Sequence, residues 1–246
     1  MVANTSIKAN LHSVLQRINI ACLKANRDPN QVKLLLATKT VHPDNIILAL
    51  NEGQKLIGEN KVQEIKQKHD ALKNIPHEKH FIGHLQTNKI KDVLKYDVSC
   101  IQSLDRLKLA EHLHEGLSRA TRKVDVLIQV NTSGEQSKFG IHPAEAIDFI
   151  KKVAGFNTLR IKGLMTIGIF SGEENKVRQC FKTLRSIQEE VKSENMHNVW
   201  MDELSMGMSS DLEVAIEEGA TIIRVGTAIF GIRKYSDSYY WNENES

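Results

Sequence analysis

An α/β barrel of eight parallel strands, a (β/α)8 TIM barrel with one extra helix in front, is the fold this sequence predicts. Three observations support that reading. Eight short apolar segments each precede a helical stretch, the alternation that makes parallel βαβ units. They occupy roughly 200 residues, a length that suits eight such units. No Pro/Gly/Ser-rich linker, repeat or low-complexity stretch divides the 246 residues, so the whole chain, 1–246, is expected to be one domain. An open doubly wound sheet is the alternative that the same alternation allows.

The N-terminal segment, 1–26, has apolar residues at 7, 11, 14, 15, 18, 22 and 25, which fall on one face of a helix. QVKLLLATKT (31–40) follows as a strand whose unbroken apolar centre suits burial on both faces. Pro43 opens a helix over 43–52, since its fixed φ suits a first turn. Strands near 55–58, 79–83 and 97–101 alternate with helices near 60–73, 86–95 and 104–120. VDVLIQV (124–130) is the clearest strand, and a helix from Pro143 to Val153 succeeds it. IKGLMTI (161–167) then leads into a long helix from Glu173 to Glu194. A strand at 199–204, a helix at 210–218 and TIIRV (221–225) complete the set, before a polar tail over 232–246.

The 33 Lys and Arg against 30 Asp and Glu leave a net charge of +3, with no basic run of five or more. That is too little for a nucleic-acid polyanion, and 5% aromatics leave few platforms for base stacking. Nucleic-acid binding is not expected. Cys22, Cys100 and Cys180 stand far apart with no CxxC, usage that fits a reducing compartment rather than a disulfide framework. MVANTSIKAN lacks the apolar core of a secretion signal, and the longest apolar runs are four or five residues, too short for a membrane span. A soluble cytoplasmic protein, with no membrane partner, is the expectation.

Chemistry in such a barrel gathers at the C-terminal ends of the strands. Lys39 stands directly after LLLAT. It is either a solvated surface lysine or, continuing a buried strand, a desolvated amine made nucleophilic by a lowered pKa. MGMSSD follows the seventh strand and GTAIFG the eighth, placing Gly207, Ser209, Ser210, Gly226 and Thr227 before two successive helices. Amide groups and hydroxyls there suit an anion, and these loops are the common phosphate site of the fold. Simple capping is the competing account, because Ser210 and Glu213 form a capping-box pair. Arg224 lies inside an apolar strand, so it should meet either an acceptor on a ligand or a carboxylate in a structural salt bridge. His77, His80 and His84 do not make a zinc motif, and cysteines at zinc spacing are missing; no metal site is expected. Phosphate-loop, dinucleotide and nucleophile-elbow motifs are absent too. Two chemistries stay open on this reading: condensation of Lys39 with a phosphorylated aldehyde, or a phosphosugar enzyme of the aldolase type.

Longer strings narrow the choice. ATKTVHP, IGENKVQE, HFIGHLQTNK, VNTSGEQSKFG, GLMTI, LSMGMSSD and IRVGTAIFG occur in that order between residues 37 and 231. In these blocks, which span most of its length, the chain resembles the pyridoxal-phosphate homeostasis protein family, the proline synthetase co-transcribed homologues. That family is similar in fold to the N-terminal barrel of alanine racemase, a fold-type III pyridoxal-phosphate (PLP) architecture. The resemblance implies that Lys39 in TKT holds PLP as an aldimine, the Schiff base of its aldehyde. Ser209 in MGMSSD, with Gly226 and Thr227 in RVGT, matches the phosphate cradle, and Arg224 matches the arginine facing the pyridine nitrogen. Asn60 in GEN and Met206 in SMGM match positions lining the pocket. His80, Ile82 and Gly83 in HFIG match the barrel wall near the ring.

The implied function is PLP homeostasis inside the cell: holding PLP and releasing it to apo PLP-dependent enzymes, as a monomer or weak homo-oligomer, with no catalytic residue assigned. The alternative is a PLP-dependent amino-acid racemase of fold type III that uses Lys39 as one base. Alanine racemases add a mostly β domain that supplies a catalytic tyrosine. Here residues 232–246 are a short polar tail, so a second base is expected to be missing unless Tyr235, Tyr239 or Tyr240 substitutes. A cation such as Arg224 also disfavours a protonated pyridine nitrogen, which leaves the ring a poor electron sink.

Overall fold

Residues 2–232 are described by the computed structural model, with side chains from residue 6 on. Tyr235, Tyr239 and Tyr240 lie outside the described residues. The first half runs α1 (Val2–Lys24), β1 (Lys33–Ala37), α2 (Pro43–Asn51), β2 (Leu56–Glu59), α3 (Val62–Leu72), β3 (Glu78–Phe81), α4 (Ile90–Lys95) and β4 (Cys100–Leu104). The second half runs α5 (Leu107–Arg119), β5 (Val124–Gln129), α6 (Ala146–Ala154), β6 (Leu159–Met165), α7 (Glu174–Ser193), β7 (Val199–Ser205), α8 (Leu212–Glu217), β8 (Ile222–Val225) and α9 (Thr227–Phe230). The eight strands close in sequence order, and β8 pairs parallel to β1. The expected barrel forms, and the open sheet does not.

Successive residues of a strand face opposite sides, so every barrel strand feeds two cores. Leu35, Leu56, Cys100, Leu127, Met165 and Ile222 meet in the lumen, with Ile82 and Ile167 packed on them. Their neighbours Leu34, Leu36, Ile57, Ile101, Val126 and Ile223 turn outward into the larger core beneath the helices. From the helix side, α5 buries Leu109, Ala110, Leu113 and Leu117, one stripe at helical spacing. Each large apolar side chain so buried contributes about 1.5–3 kcal/mol.

The extra helix α1 packs against α8 and α9, and so braces the loops at the end of the barrel. Asn10 Nδ2 donates to the Ile229 carbonyl at 3.1 Å. Arg17 donates to both oxygens of Glu213, at 2.7 and 2.9 Å, and to the Ser209 carbonyl at 3.0 Å. That pairing takes Glu213 away from the expected capping box: the N-cap of α8 is Asp211, with no side-chain cap bond.

Several strands differ from their expected bounds: β1 stops at Ala37, three residues short of the 31–40 reading, and β3 at Phe81, two short of the 79–83 reading. β4 begins at Cys100 and runs through Leu104, three residues beyond the 97–101 reading. Asp97 has φ +52 and belongs to the turn, so the apolar Val98 packs before the strand starts. β6 begins at Leu159 rather than Ile161. Among the described residues no helix is long and apolar enough to cross a membrane.

Candidate functional site

Lys39 stands two residues beyond the end of β1, in the turn that follows it. Alternation points Leu35 and Ala37 towards the lumen, and the Thr38 hydroxyl turns the other way, to Glu59. Lys39 is buried, at 8% exposure. On the neighbouring strand β8, Arg224 lies level with Leu35, four residues before Lys39. One step further along, Gly226 presses on β1: a Cβ there would stand 2.9 Å from the Ala37 carbonyl oxygen. Glycine lets the two strand ends close up, which gathers Lys39, Arg224 and the β8–α9 turn at one corner of the barrel mouth.

Among the described residues Arg224 forms no ion pair or hydrogen bond with a carboxylate, and it does not stand alone. Among the described residues its bonds run from Nη1 to Ser205 Oγ at 2.8 Å and from Nη2 to the Thr166 carbonyl at 2.7 Å. Ser205 Oγ donates onward to Gln102 Oε1 at 2.7 Å, and Gln102 Nε2 faces His80 Nδ1 at 2.8 Å. A guanidinium only donates and an amide nitrogen only donates. The chain therefore runs one way, from the cation on β8, through β7 and β4, to a neutral imidazole on β3 that accepts at Nδ1. The electrostatics agree. Burial pushes the His80 ring down to about 4, with Lys33 adding to the push and Glu203 opposing it. Burial also brings Arg224 down to about 10, against Asp211, which holds it up. At neutral pH the site contains a charged arginine and an uncharged histidine.

The loops after β7 and β8 meet at Ser209, whose Oγ accepts from the Ala228 N–H at 3.4 Å. Arg17 fixes the Ser209 backbone from outside, and Asp211 accepts from the Met208 N–H at 2.5 Å. Thr227 is exposed and begins α9. Met206 is placed differently from the rest. Its side chain is wholly buried in the outer core, because Ser205 takes the lumen side of β7; at the strand end Met206 presents backbone.

On the other flank of β1, Asn60 follows β2 and is buried, at 6% exposure. Its backbone is closed against Gly83, where a Cβ would come within 2.0 Å of the Asn60 carbonyl oxygen. Ile82 packs on the lumen cluster. The three histidines scatter: His77 Nδ1 lies 2.7 Å from the Ile75 carbonyl, His80 is in the lumen, and His84 stacks on Phe139 with centroids 3.9 Å apart. Among the described residues no group of three His, Cys, Asp or Glu could hold a metal ion.

The sequence reading brought Lys39, Arg224, Ser209, Gly226 and Thr227 together at adjoining strand ends, but it missed Gln102, Ser205 and the Thr166 carbonyl. A strand placed at 97–101 stops short of Gln102, and that shift hid it. The polar pair Gln102-Ser103 inside CIQSL was the available signal. It also missed a buried ionic cluster outside β1, formed by Glu59, Glu64 and Lys68. On sequence alone Lys68 is an ordinary helix-surface lysine.

The alanine racemase N-terminal domain family matches residues 13–234. A pyridoxal phosphate homeostasis protein of Aquifex aeolicus is 45% identical over 92% of this chain and 97% of its own. The chain belongs to the pyridoxal phosphate homeostasis protein family. A protein of Bifidobacterium adolescentis has the same fold at TM-score 0.87 and 37% identity, covering 93% of this chain and 96% of that one. PipY of Synechococcus elongatus, solved with PLP bound, is similar at TM-score 0.77 and 31% identity, covering 89% of this chain and all of its own. Family membership thus agrees with the barrel, with its closing β8–β1 pair, and with the resemblance in the sequence blocks.

Proposed function

We propose that this barrel is a single PLP-holding unit that acts in intracellular, cytoplasmic PLP homeostasis, binding PLP through Lys39 and releasing it to apo-enzymes. The observation that carries the reading is the β1–β8 seam: a buried lysine just past β1, a buried arginine deeper on β8 and a hydroxyl-lined loop after β8 lie along the same pair of strands. The donor set fits the cofactor group by group. An amine suits an aldehyde, hydroxyl and amide donors suit a phosphate dianion, and a guanidinium suits an unprotonated ring nitrogen.

PLP would supply an aldehyde that joins an amine with loss of one water, and a ring able to draw electrons from the joined carbon. The chain's own residues then decide how much of that chemistry proceeds. Lys39 holds the aldehyde as a Schiff base. Ser209, Gly226 and Thr227 receive the phosphate, with Arg17 and Asp211 fixing the loop from behind. Arg224 aims a charge at the ring nitrogen and keeps a proton off it, because two like charges would meet there. The Ser205–Gln102–His80 chain holds that guanidinium in place. Ile82 and Asn60 form the wall after β2 and β3, on the other flank of β1.

A cation at the ring nitrogen favours holding over turnover, and this sets the reading apart from a fold-type III racemase. The test pairs two assays on the PLP-loaded protein. An apo PLP-dependent enzyme should regain activity on mixing. L-Alanine in D2O should yield at most slow α-deuteration, and D-alanine formed at about 1–10³ s⁻¹, ordinary for enzymes, would overturn the proposal.

A further inference from the structure

Lys39 sits between two peptide groups that are both bonded from outside the barrel. The Thr38 carbonyl, in the peptide before it, accepts from Lys68 Nζ at 2.7 Å. The Thr40 N–H, in the peptide after it, donates to Glu64 Oε2 at 2.6 Å. Thr40 has φ +62, a left-handed conformation that a β-branched residue adopts only when its surroundings hold it there. Lys68 ties the two contacts into one unit. Its remaining bonds go to Glu59 Oε1 at 2.8 Å and Glu64 Oε2 at 2.7 Å, so all three ammonium protons are used. Glu59 Oε1 also accepts from the Thr38 hydroxyl at 2.6 Å. The cluster is buried, with Lys68 at 6% and Glu59 at 1% exposure.

A buried ion cluster is a poor source of stability, since desolvating the charges offsets most of their attraction, and apolar residues would serve a helix–strand contact as well. Its bonds are instead aimed at the backbone on either side of one buried lysine. We propose that Lys68, with Glu59 and Glu64, is the positioning unit for Lys39, fixing the direction in which its amine enters the barrel. The proposal rests on Lys39 being the residue that joins PLP. Lys68 touches no substrate; it acts through the β1 exit, where displacement by about 1 Å can cost a hundredfold in a reaction that depends on alignment.

The test separates alignment from binding. PLP reports Schiff-base formation by its visible absorbance, and 4′-deoxypyridoxine phosphate, in which a methyl group replaces the aldehyde, reports the phosphate and ring contacts by calorimetry. In the double variant Glu59→Gln/Lys68→Met the deep charges are gone and only Glu64 remains, at 13% side-chain exposure, so folding should survive. Its Schiff base should form about tenfold more slowly or worse, while the analogue binds within about twofold of wild type. Should that variant not fold, Glu64→Gln decides, because it weakens the charge-assisted bond to the Thr40 N–H and should produce the same differential, several-fold in size. Equal losses for PLP and the analogue, or no loss for either, would overturn the positioning role while leaving the proposed function intact. A wild-type protein that gives no Schiff base with PLP overturns both.

Discussion

Lys39, in the turn after β1, and Arg224, on the adjacent β8, are each buried, and each answers to a separate part of the proposed ligand. Lys39→Ala should abolish the visible Schiff-base absorbance while keeping the part of the affinity that comes from the phosphate. A spectrum with and without added PLP checks it, and an unchanged band in the variant contradicts it. Ser209→Ala removes one charge-assisted hydrogen bond, about 1.5–3 kcal/mol, or roughly 10- to 100-fold in PLP affinity. Pyridoxal, which lacks the phosphate, should be nearly indifferent to that change, and calorimetry with both ligands reads the difference. At this scale the sequence is half legible. Lys39 and Arg224 stand out because each charge interrupts an apolar strand. Gln102 and Ser205 are ordinary polar residues whose meaning comes only from the bonds that join them across the lumen.

Between elements, the contact of α3 with the β1–β2 edge has a testable pH signature. Burial raises the Glu59 carboxyl from 4.5 to about 7, although Lys68 and the Thr38 hydroxyl pull it down; Glu64 on α3 adds to the rise, and Lys79 on β3, bonded to the Tyr96 carbonyl, interacts with the carboxylate through space. A raised carboxyl means the folded protein binds this proton more tightly than the unfolded chain does. The stabilisation is therefore full below about pH 4.5 and is lost as pH climbs through about 7. Glu59→Gln stays neutral throughout, so the thermal midpoint of wild type should fall relative to the variant between those limits; a gap that is flat or widens in favour of wild type contradicts this. Where β3 leaves the barrel, Gly83→Ala would drive a Cβ into the Asn60 carbonyl, which should cost about 1–3 kcal/mol in a denaturant titration. Most elements could be read in advance because parallel strands are continuous apolar runs and their helices bury a periodic stripe. β4 could not, because a left-handed Asp97 ends the preceding turn late and leaves the apolar Val98 looking like part of the strand.

Over the whole molecule, a closed barrel braced by α1 holds the β7 and β8 loops against the end of β1, and the site is a consequence of that closure. Strand alternation predicts eight parallel βαβ units, and their number and length favour the closed barrel over an open sheet; the residues that tune the site depend on which side of each strand faces the lumen, and a shift of a few residues conceals them. The central claim is that this lumen holds PLP on Lys39. The most direct measurement is borohydride reduction of the PLP-loaded protein, followed by peptide mapping of the modified lysine. The label should fall on the peptide containing Lys39, in close to one equivalent per chain at saturation. A label on any other lysine, or a protein that reduction leaves unlabelled, would contradict the account.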